Sequence, residues 1–125
     1  MARCSVDIPT PRTKQRNEIC ERYGYKCVYC GRKFKDSFED WMLLTVEHVI
    51  PYKELKKEGN HRENDMENKR CACRTCNNMS TRLVAGFEKL RFEERIKKVL
   101  NKKKRDILKR REKFRQFYDE CVNPK

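Results

Sequence analysis

A chain of 125 residues has room for one domain with a modest core. Charged residues make up 41% of it and hydrophobic ones 37%, so apolar burial alone is a thin basis for folding and a metal staple is expected. No run of about 18 apolar residues occurs, which excludes a membrane-spanning helix, and Met1-Ala2-Arg3-Cys4 does not open a signal peptide.

These features point to an intracellular protein of the cytoplasm or nucleoid. In such a reducing compartment eight cysteines argue for metal binding rather than disulfides. The net charge of +13 is uneven: residues 82–125 carry 16 Lys/Arg against 7 Asp/Glu. A polyanionic partner is the functional reading of that excess, and a solvated helical surface is the plain one.

Residues 1–9 lack periodicity and read as an irregular arm. Thr10-Pro11 reads as an N-cap and a first helical residue, opening a helix to about Tyr23 with Ile19, Cys20 and Tyr23 inward and Gly24 as its stop. Tyr25 to Gly31 is a thiol-bearing turn, in which glycine after the second cysteine lets amides face a sulfur. Phe34, Phe38, Trp41 and Met42 are expected as local core. Leu43–Glu47 reads as a β-branched strand that ends in an acid, a histidine and a proline turn.

Residues 52–67 are a polar loop with one helical turn near Lys53–Lys57. A second thiol turn, Cys73-Arg74-Thr75-Cys76, leads into a helix from Asn77 to about Val84, broken by Gly86. Phe92, Ile96, Val99 and Leu100 share a helical face. Asn101 with its basic run marks a bend or a second helix, in which Ile107, Arg111, Phe114, Tyr118 and Cys121 recur at helical spacing. The organisation expected is an arm and N-terminal helix over 1–24, a core over 25–86 and a basic helical extension over 87–125.

Thiolates two residues apart on a tight turn can share one tetrahedral zinc. The two such pairs select Cys27, Cys30, Cys73 and Cys76 as ligands of structural Zn²⁺. Cys71 is a nearby competitor, while Cys4, Cys20 and Cys121 read as small buried hydrophobes. Only two histidines occur, and His48 stands between the thiol pairs with Glu47 before it and Asn68 and Asn77 after it. His61, in the loop, reads as exposed or phosphate-contacting.

Four separated elements carry a resemblance: Cys27-Val28-Tyr29-Cys30-Gly31, Val46-Glu47-His48-Val49-Ile50-Pro51, Asn68, and Cys73-Arg74-Thr75-Cys76-Asn77. Over about residues 16–85 the chain resembles the HNH endonucleases, also called His-Me finger or ββα-metal nucleases, in their zinc-stapled form. The resemblance implies an α+β fold, a ββα core with an N-terminal helix and basic C-terminal helices outside it. It implies His48 as general base, Asn68 as the residue that orients it, and Glu47 with Asn77 as ligands of a catalytic Mg²⁺ or Mn²⁺, in an HNN variant. The activity implied is hydrolysis of DNA, double-stranded, to 5′-phosphate and 3′-hydroxyl ends.

Two positions depart from the pattern: the acid is Glu47 where Asp is commoner, and Ser80 stands where a lysine often follows, which leaves Arg82 as a substitute phosphate contact. Lys102, Lys103, Lys104, Arg105, Lys109, Arg110 and Arg111 are expected along backbone phosphates, which carry little sequence information. Phe114, Phe117 and Tyr118 are either the face of a homodimer or core. A zinc-binding nucleic-acid-binding module without catalysis is the alternative reading.

Overall fold

The structure, a computed structural model, describes residues 10–62, 64–80 and 84–125. The expected arm over residues 1–9, with Cys4, lies outside the described residues, as does Arg82. Helix α1 spans Pro11–Arg22, with the Thr10 hydroxyl accepting from Thr13 N at 3.1 Å, and it buries Ile19 and Cys20. Tyr23 is its cap and only half-buried. The chain turns away through Gly24 at φ 71° and Tyr25 at φ 54°. The strained Tyr25 is held by its own contacts: its N–H donates to Cys20 O at 2.8 Å and its hydroxyl to Asn17 Oδ1 at 2.6 Å.

The first thiol turn follows, and Val28 N donates to Cys71 O at 2.8 Å to tie it to the sheet. Gly31 has the left-handed φ of 76° that the turn needs, but its N–H goes to Cys27 O at 3.0 Å rather than to a sulfur. Short α2, Phe38–Met42, buries none of its five residues. Of the expected aromatic core, Phe34 is buried and Trp41 half-buried under the Arg16 guanidinium, whereas Phe38 and Met42 lie exposed, because α2 rides on the surface.

Strand β1, Leu44–His48, pairs antiparallel with β2, Lys69–Cys73, in a register that sets Leu44 opposite Cys73 and His48 opposite Lys69. A two-stranded sheet is marginal alone. Here it is closed by α3 (Tyr52–Lys57) and a 3₁₀ turn (Met66–Asn68) between the strands and by α4 (Arg74–Met79) directly after β2. Helix α4 starts three residues before the expected Asn77. Cys73 is its N-cap, its sulfur accepting from Cys76 N at 3.4 Å.

The C-terminal third is one helix, α5, from Phe92 to Phe117, ending in a π-helical turn over Tyr118–Val122. No bend occurs at Asn101: the stretch has no Gly or Pro, and Lys102 pairs with Asp106 one turn on, at 3.6 Å. Helix α5 bridges two cores. Phe92, Ile96 and Val99 pack with Val49, Ile50 and Leu55; Ile107 packs with Cys20, Tyr29, Phe34 and Leu44 around the thiols. A bidentate pair of Arg95 with Glu58, 2.8 Å from Nη2 to Oε2, fastens it to the end of α3. Beyond Arg111 the helix outruns the domain, so Phe114, Phe117, Tyr118 and Cys121 are exposed rather than core. Among the described residues this is an α+β fold, a small ββα unit preceded by α1 and the short α2 and followed by the long basic helix α5.

Candidate active site and metal centre

The sulfurs of Cys27, Cys30, Cys73 and Cys76 all lie within 4.8 Å of one another. A tetrahedral zinc with bonds of about 2.3 Å separates its sulfurs by about 3.8 Å, and Cys30 and Cys73 sulfurs are 3.9 Å apart. That pair is already at zinc spacing, and the cluster as a whole needs only a small contraction to hold the ion. Without a cation the crowded sulfurs divide: hydrogen bonds from Cys73 and Cys76 hold the Cys27 thiol far down, while the same contacts push the Cys76 thiol up. A divalent ion removes that conflict by taking all four as thiolates. Cys71 stays outside this group. It shares a hydrogen bond with Cys20, which lowers the Cys20 thiol and raises that of Cys71.

Adjacent residues of a strand face opposite ways, and the end of β1 uses this. Glu47 turns inward and is 4% exposed; His48 turns outward and is exposed. The Glu47 carboxylate lies 3.9 Å from Lys103 Nζ through Oε1, and Oε2 is buried with no hydrogen-bond partner among the described residues. Burial pushes its carboxyl above the usual value, while Lys103 and the hydroxyls of Ser80 and Tyr29 pull the other way. The groove walls screen the His48 ring, and with Lys69 and Lys103 nearby they hold the imidazole below its ordinary value.

Asn68 is fully buried, and its amide grips the turn after His48: Oδ1 accepts from Ile50 N at 2.8 Å and Nδ2 donates to Ile50 O at 3.1 Å. Val49 N donates to Asn68 O at 2.9 Å. Among the described residues these contacts of the side chain hold the backbone that follows the histidine. Asn77, on α4, donates through Nδ2 to Thr45 Oγ1 at 2.9 Å and Val46 O at 3.2 Å, which leaves Oδ1 as its unused ligating atom among the described residues. A buried carboxylate oxygen without a partner and an amide oxygen without a donor suit a hard divalent cation. At the position where the resemblance expects lysine, the Ser80 hydroxyl accepts from Lys103 Nζ at 3.1 Å.

His48 opens on a groove of about 570 Å³, lined also by Arg12 and Arg16 of α1, Lys69, Asn64 and Arg74. These cations were not singled out from sequence. Arg12 and Arg16, four apart at the start of a helix, were the available signal. The C-terminal basic residues divide. Lys102, Lys104, Arg105 and Lys109 are exposed, as phosphate contacts require. Lys103 is not available for that purpose, being 4% exposed and turned onto Glu47. Arg110 donates to Met79 O at 3.2 Å and Arg111 to Cys76 Sγ at 3.7 Å, so both serve α4 and the thiol cluster. His61 is exposed.

Residues 27–83 match a family described as HNH endonuclease. No curated protein and no solved structure matches the chain. The matched segment starts at the first zinc thiol and runs through β1, β2 and α4, so it contains the four-sulfur cluster, the acid–histidine strand end and both asparagines. Through this segment, whose four-cysteine cluster suits a zinc staple, the chain is similar to the HNH endonuclease family.

Proposed function

We propose that the protein is a metal-dependent endonuclease that hydrolyses phosphodiester bonds in DNA, with His48 as the general base. One observation carries the reading: on adjacent residues of one strand end, an imidazole faces a basic groove and a buried carboxylate keeps an oxygen without a partner. Hydrolysis needs an activated water, and a neutral imidazole accepts its proton. The Asn68 clamp on Ile50 fixes the turn that follows the base. Arg12, Arg16 and Arg74 supply charge for backbone phosphates. Glu47 through Oε2 and Asn77 through Oδ1 would hold Mg²⁺ or Mn²⁺, and because Glu47 turns inward while His48 turns outward, the reading requires the carboxylate to swing toward the groove for the ion to relieve charge at the scissile phosphate. The ends expected are 5′-phosphate and 3′-hydroxyl.

The reading is tested with supercoiled plasmid and Mg²⁺ or Mn²⁺. Nicked or linear product is expected. A shift on a gel without cleavage at any ion concentration would replace the reading with that of a binding module. One observation favours this second reading: the partner of Glu47 is an ammonium.

The groove gives a sharper expectation. Changing Arg12 and Arg74 together to alanine should weaken DNA binding uniformly across sequences and flatten the slope of log K against log salt by about 2, one for each phosphate that is no longer neutralised. An unchanged slope would move the DNA elsewhere. The pH profile has a defined sign as well. Because the His48 imidazole is held below its ordinary value, the base is neutral at pH 7, and kcat/KM should rise with pH through a midpoint below about 6.5. A midpoint above that would point to a base with a different environment.

A further inference from the structure

Four basic residues in a row, Lys102 to Arg105, look alike in the sequence, yet only one of them is buried. Lys103 stands four residues after Val99 and four before Ile107, so it shares their inward stripe on α5. Val99 belongs to one core and Ile107 to the other. Lys103 therefore enters at the seam between them, directly over the end of β1. A buried ammonium has to be partnered. Its Nζ donates to Val49 O at 2.6 Å and to Ser80 Oγ at 3.1 Å. Toward Glu47 Oε1 the distance is 3.9 Å, too long for a hydrogen bond, and Oε2 has no partner among the described residues. The acid is thus neutralised loosely and keeps ligating capacity.

We propose that Lys103 is a tethered cation sharing the Glu47 pocket with the divalent ion, and that its ammonium sets how much free ion the site requires. The purpose of that ion rests on the nuclease reading; its competition with Lys103 does not. A divalent cation binds carboxylate oxygen at about 2.0–2.1 Å for Mg²⁺, and a second positive charge a few ångströms away opposes it with little screening in a buried pocket.

The test is Mn²⁺ binding to zinc-loaded protein, read by electron paramagnetic resonance, for wild type, Lys103→Met and Lys103→Gln. Methionine keeps the stem without the charge, and glutamine keeps an N–H for Val49 O. Both variants should bind Mn²⁺ at least tenfold tighter than wild type. Adding Glu47→Gln to Lys103→Met should abolish that site, and the Mg²⁺ concentration for half-maximal plasmid cleavage should fall in parallel. Equal or weaker Mn²⁺ binding in a variant with parental zinc content and melting would overturn the proposal, as would binding that survives the loss of the Glu47 charge. Tighter Mn²⁺ binding in a protein that cleaves nothing at any ion concentration would leave the proposal standing and remove the nuclease reading alone.

Discussion

Replacing Cys73 by serine should release the zinc and with it the cooperative fold. The substitution isolates the metal because serine keeps the other role of the residue. Cys73 is the N-cap of α4, with its sulfur accepting from Cys76 N, and serine is among the best N-caps. What is lost is one ligand of the four-sulfur cluster, which joins the turn over Cys27–Cys30 to the start of α4. Structural zinc contributes apparent free energies of about 10–16 kcal/mol in small domains, and a domain of this size is stable by about 5–15 kcal/mol in total. The ion is therefore of the order of the whole stability. Zinc content and a circular-dichroism melt on the same sample decide it: the expected result is less than one zinc per chain and no cooperative transition. A variant that melts like its parent would sink the staple. Cys121→Ser is the control, since that thiol is exposed at the end of α5 and its change should alter neither measurement.

Local chemistry explains what the sequence made visible. The Thr10-Pro11 start of α1, its Gly24 stop, the β-branched strand and the two thiol pairs each follow from residues within one turn of each other. The misses come from longer range. Strand β2, Lys-Arg-Cys-Ala-Cys, has no β-branched residue and is a strand because β1 and the thiol cluster hold it in register. The early start of α4 depends on a thiol filling a hydroxyl's place as N-cap. Phe38 and Met42 have core composition but sit on a helix too short to bury a face. Phe114 and Tyr118 keep helical spacing on a helix that has run past its domain. In the candidate site Glu47, His48, Asn68 and Asn77 were picked out through the family resemblance, whereas the Arg12–Arg16–Arg74 wall comes from separated segments. Lys103 lay within reach of sequence reasoning: its place between Val99 and Ile107 on the inward stripe distinguishes it from the lysines beside it.

Changing His48 to alanine should lower plasmid cleavage by about 10²–10⁴-fold, the usual worth of a positioned general base, and leave zinc content, melting and DNA retention in place. The fold has little reason to notice the change. The ring is exposed, no hydrogen bond fixes it among the described residues, and strand pairing with Lys69 uses only its backbone. Binding has little reason either, because Arg12, Arg16 and Arg74 remain. The control is His61→Ala, which changes the only other histidine and should leave the rate unaltered. The pH profile then separates a lost base from a damaged site. If His48 takes the proton, the variant loses the acid limb along with the rate, and its residual cleavage stays flat where wild type climbs. A variant that is slow yet keeps the same limb would mean that another group titrates there and that the imidazole serves only to shape the groove.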